Sequence, residues 1–222
     1  MEKTIVLIPS YNESSAIGAI IRELKAKNLS VCVIDDGSID DTAAIAKASG
    51  ASVVKHENNM GKGASLIDGF AYVLRGDFTA ALVMDGDGQH CVSDVDNFFN
   101  KMDSTGSDIV IGNRMSDTAL MPIARRLTNK FMSCLISMMC GHDIPDTQCG
   151  FKLIKRNVLE RVNLSASNYE IESELLLKAA KNGFKIESVP VKTIYQNEKS
   201  RINPFVDTIR FIVFLMKTMV GR

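Results

Sequence analysis

Asp85 and Asp87 stand one residue apart on a turn flanked by Gly86 and Gly88, directly after the apolar run Ala80–Met84. Two carboxylates on such a turn suit a hard divalent cation, Mg²⁺ or Mn²⁺, which takes one or two protein carboxylates and completes its shell with phosphate oxygens. The glycines let the backbone approach a ligand closely, and Gln89 adds a neutral donor and acceptor beside the pair. A turn of this composition also occurs as plain structure. The metal reading gains weight from two further clusters, Tyr11-Asn12-Glu13 and Asp35-Asp36-Gly37-Ser38, which follow the apolar runs Thr4–Ile8 and Val31–Ile34. Capping a helix takes one oxygen, so carboxylates are left over for another use.

Asn58-x-x-Gly61-Lys62-Gly63 resembles a phosphate loop without completing one. His56 stands where its first glycine would be, and Ala64 follows Lys62 where Ser or Thr would. A helix N-terminus carrying Lys62 still favours an anion; an ordinary glycine turn is the alternative. His56, His90 and His142 lack zinc-ligand spacing, and His90 reads either as an outer-shell group beside Gln89 or as a loop histidine. Five cysteines without a CxxC pair argue against disulfides and zinc, and for free thiols.

Lys plus Arg and Asp plus Glu each number 26, which gives no support to nucleic acid as a partner. With 45% apolar and 23% charged residues among 222, the chain is an ordinary globular one with material for one large core.

Hydrophobic periodicity supplies the frame for these clusters. Thr4–Ile8, Val31–Ile34, Ser52–Val54, Ala80–Met84 and Asp108–Ile111 read as strands, with helices over Ser14–Lys27, Ala64–Leu74 and Val92–Met102. Asp40 or Asp41 is expected to cap a further helix that stops at Gly50. This alternation predicts an α/β fold, a mostly parallel sheet sandwiched by helices. Carboxyl ends of such strands open on one crevice, so Tyr11, Asn12, Glu13, Asp35, Asp36, Asp85 and Asp87 are expected around one cavity. Farther on, Pro122–Cys140 reads as a long helix, Phe151–Ile154 as a strand and Tyr169–Lys181 as a helix closed by Gly183. Lys185–Tyr195 reads as a strand broken at Pro190, and Pro204–Val220 as a terminal helix.

Six blocks in chain order resemble the family-two glycosyltransferases: IPSYNE (Ile8–Glu13), DDGSID (Asp35–Asp40), NMGKG (Asn59–Gly63), DGDGQH (Asp85–His90), IGNR (Ile111–Arg114) and DTQCGFK (Asp146–Lys152). The likeness is strongest to the dolichol-phosphate mannose synthase and polyprenyl-phosphate glycosyltransferase branch, and it runs from residue 4 to about residue 202. It implies a GT-A catalytic domain over residues 1–203, with residues 204–222 as a C-terminal amphipathic helix. It further implies a GDP- or UDP-sugar donor and Mg²⁺ or Mn²⁺. By position, Pro9, Tyr11, Glu13, Asp36, Lys62, Asp85, Gln89 and Arg201 fall on the nucleotide sugar. Asp85, Asp87 and Gln89 fall on the metal, and Arg114, Arg125 and Arg126 on the acceptor phosphate. Asp85, Asp87, Arg114 and Glu172 are the catalytic candidates.

The expected reaction is an inverting transfer, and its acceptor stays open. A polyprenyl or dolichyl phosphate has a second pKa of about 6, so it is mostly dianionic near neutrality and needs cations to position it. A sugar hydroxyl would need a carboxylate base, for which Glu170, Glu172, Glu174 and Asp146 are candidates. The chain has no Trp and so lacks the Gln-x-x-Arg-Trp signature of processive synthases. A HAD-type phosphatase reading of Asp85-Gly86-Asp87-Gly88 fails because Gln89 follows and the turn closes the fourth strand. A non-catalytic nucleotide-sugar binder is a second rival, and a nucleotidyltransferase a third, against which the chain lacks a Gly-rich, Arg-containing loop after its first strand.

On Pro122–Cys140, Arg126, Lys130, Ser133 and Ser137 form one stripe, and Ile123, Leu127, Phe131, Leu135, Met138 and Met139 cover the other side. Between Phe205 and Val220 only Asp207, Arg210 and Lys217 are charged. No uncharged apolar run of 18 residues and no signal-peptide pattern is present. Many members of that branch carry membrane spans after the catalytic domain, and the chain resembles either the single-domain soluble form or a piece of a longer member. The expectation is a cytoplasmic protein, peripheral at the membrane face, whose two apolar stripes meet lipid, the core, a second copy or a membrane-protein partner.

Overall fold

A seven-stranded sheet in the order β3-β2-β1-β4-β6-β5-β7 organises the computed structural model, which describes residues 3–118, 121–166 and 170–194. Its first half is β1 (Thr4–Ser10), α1 (Ile17–Ala26), β2 (Ser30–Asp35), α2 (Thr42–Ala48), β3 (Ser52–Lys55), α3 (Lys62–Arg75) and β4 (Ala80–Val83). There follow α4 (Val95–Thr105), β5 (Ile109–Asn113), α5 (Ile123–Cys140), β6 (Lys152–Lys155), α6 (Arg156–Arg161), α7 (Glu170–Lys181) and β7 (Ile186–Pro190). Arg201, Tyr195, the 203/204 boundary and the Pro204–Val220 helix lie outside the described residues.

The strands pair in parallel except β6, which runs against both β4 and β5. Ile5, Val6, Leu7 and Ile8 of β1 are buried, as are all four residues of β4. Continuous apolar runs of this kind are what strands covered on both faces require. β7 is an edge strand and ends at Pro190, where a missing N–H costs no ladder bond.

Two elements differ from expectation, and at α2 one of two expected caps is taken up. A short 3₁₀ turn, Val92–Asp94, precedes α4. The first turn of α2 is served by Asp40, whose Oδ1 accepts from Thr42 N–H, while Asp41 makes no side-chain cap. The unexpected α6 opens with Arg156, which donates to the carbonyls of Val73, Leu74, Gly76 and Phe78 at 2.6–3.2 Å and so caps the C-terminal end of α3. Hydrogen bonds to a charged donor of this kind contribute about 1.5–3 kcal/mol.

Candidate active site

The strand order reverses between β1 and β4, which are neighbours although β2 and β3 intervene in sequence. The crevice at such a switch point is the ligand site of open parallel sheets. The loops after β1 and β2 form one wall of it and are cross-linked. Asn12, in the left-handed region at φ 56, donates its N–H to Ser38 Oγ at 2.9 Å and accepts from Ile39 N–H at 3.0 Å. Glu13 N–H donates to Thr42 Oγ1 at 2.8 Å, and Ser14 N–H to Asp40 Oδ2 at 3.2 Å. Desolvation would raise the Asp40 carboxyl, but donors from Thr42 and Ser14 outweigh it and bring it down to about 2. Pro9, Tyr11 and Glu13 sit half-buried along this preformed wall.

Asp36, expected on the nucleotide sugar, is engaged elsewhere. It is buried, and its carboxylate is turned onto the protein's own backbone. Oδ1 accepts from Met60 N–H at 2.8 Å, and Oδ2 from Gly61 N–H at 2.8 Å. His56 Nδ1 also lies 2.8 Å from Oδ1, while its Nε2 reaches Asp68 at 3.0 Å. Asp36 therefore fixes the loop that opens α3, a use its position in the sequence does not reveal.

At the end of β4 the two carboxylates stand in different electrostatic states. Asp85 Oδ1 is 2.7 Å from Lys62 Nζ, and Oδ2 is 3.5 Å from His90 Nε2. Burial would raise the Asp85 carboxyl, but Lys62 and His90 hold it well below the usual range. His90 packs on Phe151, which packs on Phe98 in the core. Asp87 is half-buried; its Oδ1 accepts from Gln89 N–H at 3.0 Å, and it makes no ion pair among the described residues. Asp87 is thus the carboxylate with charge to offer, and the hard oxygens of Asp85, Asp87 and Gln89 fit Mg²⁺ or Mn²⁺. No group of three or more His, Cys, Asp or Glu that could hold a metal exists among the described residues. Such an ion would therefore depend on phosphate oxygens to complete its shell.

Glu172 departs from the role of a base. Both its oxygens are taken, Oε1 by Lys62 at 2.7 Å and Oε2 by Lys152 at 2.6 Å. Burial would raise its carboxyl, but Lys152 and Lys62 bring it down. Asp146 is likewise engaged: it is buried and receives Arg114 Nε at 2.7 Å, Arg114 Nη2 at 2.9 Å and the Arg114 N–H at 3.1 Å. Glu174 accepts from Ser165, Ala166 and Lys178. β6 is responsible for this gathering. Because it runs antiparallel, the loop ahead of it arrives at the carboxyl ends of β4 and β5, bringing Asp146, Gly150 and Lys152 to Arg114, Asp85 and Glu172. The clues in the sequence were a lysine opening an apolar strand and a glycine two residues before it.

Arg114 occupies the turn after β5, buried, with one edge of its guanidinium committed to Asp146. Arg125 and Arg126 are in the first turns of α5, half-exposed and exposed, and form no ion pair among the described residues. The rest of α5 shows which way its stripes face. Its serines face inward, where Ser133 accepts from Thr147 N–H and Ser137 from Ile144 N–H. Ile123, Leu127, Phe131 and Met138 face outward and are exposed. Leu135 and Met139 of the same row are half-buried and pack against the core, so core packing accounts for only part of it. No described helix is long and apolar enough to cross a membrane.

A family model described as Glycosyl transferase family 2 matches residues 5–162. The chain is 30% identical over 215 residues to UDP-N-acetylglucosamine--dolichyl-phosphate N-acetylglucosaminyltransferase of Methanococcus voltae, over 86% of this chain and 85% of that protein. It is 28% identical over 204 residues to polyprenol monophosphomannose synthase of Mycolicibacterium smegmatis, over 86% and 77% of the two chains. Among solved structures, mannosyl-3-phosphoglycerate synthase from Rubrobacter xylanophilus matches with a TM-score of 0.77 and 17% identity, over 99% of this chain and 75% of that one. Glucosyl-3-phosphoglycerate synthase from Mycobacterium tuberculosis, in complex with Mn²⁺ and UDP-glucose, matches with a TM-score of 0.74 and 19% identity, over 99% and 79%. At these identities the structural likeness shows the fold alone, and it is the GT-A fold.

Proposed function

The chain belongs to glycosyl transferase family 2, in the dolichol-phosphate sugar branch, and from that premise we propose that it moves a hexose, with inversion, from a GDP- or UDP-sugar to a polyprenyl or dolichyl phosphate. The state of the carboxylates carries the acceptor reading. Glu172, Glu174 and Asp146, the buried candidates for a base, are each held by cations or amide donors. A sugar hydroxyl needs a base to take its proton. A phosphate dianion arrives as a nucleophile and needs cations to hold it. Arg114 supplies one beside the β5 end, and Arg125 and Arg126 lie in the next element.

The nucleoside is assigned to the wall built from the loops after β1 and β2, with Pro9, Tyr11 and Glu13. Lys62, at the N-terminus of α3, is the cation for the donor's diphosphate, with backbone N–H groups of that helix end beside it. A divalent ion on Asp87, with Asp85 and Gln89 at hand, would supply Lewis-acid stabilisation of the departing nucleotide diphosphate. Asp85, already neutralised by Lys62, orients that turn.

Peripheral attachment at the cytoplasmic membrane face is part of the same reading. The outward row of α5 combines apolar side chains with Arg126 and Lys130, and the helix contains no acidic residue. Such a face suits an anionic bilayer surface.

The deciding experiment offers labelled GDP- and UDP-sugars with Mn²⁺ to polyprenyl phosphate and, separately, to free sugars. Label should enter the lipid fraction only when divalent ion is present. Transfer to sugar hydroxyls alone, or no transfer with any pair, would overturn the reading.

A further inference from the structure

Lys152 is a cation set inside the sheet. It opens β6 opposite Val83 of β4 and Ile111 of β5. Its ammonium donates to Glu172 Oε2 and to the carbonyl of Cys149. Through Glu172 it belongs to a file of alternating charge, Asp85, Lys62, Glu172 and Lys152, whose successive contacts are 2.7, 2.7 and 2.6 Å. Side-chain exposure falls along the file from 26% through 17% and 8% to 3%. A small pocket lined by Leu66, Phe70, Val83, Ile154 and Leu175, with Lys152 and Glu172 themselves, flanks its buried end, so the surroundings of that pair are mostly apolar.

The two lysines therefore have different freedom. Lys62 borders the crevice and faces two carboxylates. Were it the sole partner of Glu172, leaving would strand a buried carboxylate, which is strongly unfavourable. With Lys152 in place, Glu172 keeps a counter-ion whichever way Lys62 turns. We propose that Lys152 is a positioning residue: as the fixed counter-ion of Glu172, it releases Lys62 to engage the diphosphate of the donor. The inference rests on the donor reading above. It makes Glu172 the junction between a fixed cation and a movable one. A purely structural ion pair would affect melting temperature and leave the affinity of the folded protein unchanged.

The test is calorimetric titration of Mn²⁺ alone, and of pyrophosphate, UDP and GDP in its presence, on wild type, Lys152→Met, Glu172→Gln and the double variant, with thermal melts of each free protein. Lys152→Met is expected to weaken diphosphate binding by roughly tenfold or more while Mn²⁺ affinity stays within about threefold. Adding Glu172→Gln, which removes the need for a counter-ion, is expected to restore diphosphate affinity to within about threefold of wild type. Wild-type affinity in Lys152→Met overturns the proposal, as does a double variant no better than the single one. Should Lys152→Met fail to fold, Glu172→Gln and the double variant decide: equal diphosphate affinities support action through Glu172, and unequal ones overturn it. Wild-type protein that binds pyrophosphate but neither UDP nor GDP counts against the donor reading alone, and the Lys152 comparison is then read on pyrophosphate. Wild-type protein that binds no diphosphate overturns both.

Discussion

Gly150 lies so close to the carboxylate of Asp85 that a Cβ at position 150 would fall on Asp85 Cγ and both its oxygens. The residue is not among those with positive φ, so space and not backbone conformation demands glycine here. Gly150→Ala should push Asp85 off Lys62 and lower kcat/KM by roughly a hundredfold, the scale of an ångström's misplacement in a site. Overpacking should cost about 1–3 kcal/mol of stability in urea melts. A fully active Gly150→Ala protein would show that Asp85 need not hold its observed position.

Asp87→Asn separates metal binding from structure. Asn can keep the hydrogen bond that Asp87 Oδ1 accepts from Gln89 N–H. Stability should stay within about 0.5 kcal/mol of wild type. Activity should fall by more than the roughly hundredfold that loss of an outer-shell partner costs, and Mn²⁺ titration heats should vanish. Unchanged Mn²⁺ dependence would remove Asp87 from the metal.

These two carboxylates mark how far the sequence could be read. Ala80–Val83 and Ile5–Ile8 announced themselves as buried parallel strands because their apolar runs are unbroken, and the polar turns after them followed from the topology. The strand Lys152–Lys155 was legible as a strand but not in direction: four residues carry no sign of running antiparallel. With its direction unknown, nothing linked Lys152 to Glu172, Gly150 to Asp85 or Asp146 to Arg114. Arg156–Arg161 is six residues long, too short for helical periodicity to show. Which way the serines of α5 face was not legible, because the residues that satisfy them, Ile144 and Thr147, come from a loop that periodicity cannot place.

Arg114→Ala should reduce transfer and also destabilise the fold, because Asp146 would stay buried without its cation, at a cost of about 3–5 kcal/mol. That cost depends on pH with a definite sign. Burial would raise the Asp146 carboxyl, but Arg114 brings it down. A carboxyl lowered on folding adds stability that is complete above its unfolded pKa, near 3.9, and is lost as pH falls through the folded value. The gap between wild type and Arg114→Ala in urea melts should therefore be full at about pH 6 and narrow toward about pH 3. A gap that holds constant would show that the pair is not ionised as the geometry requires.

Leu127→Glu and Phe131→Glu place charge on the outward row of α5, where both side chains are more than half exposed. Neither change should alter melting temperature by more than about 2 °C, since surface substitutions stay within about 0.5 kcal/mol. Co-sedimentation with anionic vesicles should fall sharply in both, with transfer to a short soluble phosphate acceptor preserved. Undiminished sedimentation would take the membrane off this face.

The direction of β6 also sets the order in which the molecule is completed. The chain emerges from its N-terminus, so β1 to β4 and the cross-linked loops after β1 and β2 are all synthesised before residues 146–155 exist. Pairing β6 with β4 then closes a loop of about 70 residues, which carries a closure entropy of its own. Until it closes, Asp85 lacks the backbone of Gly150 beneath it. The wall to which the nucleoside is assigned is complete first and the carboxylate floor later, so the proposed site is finished only when the last strand pairings complete the sheet.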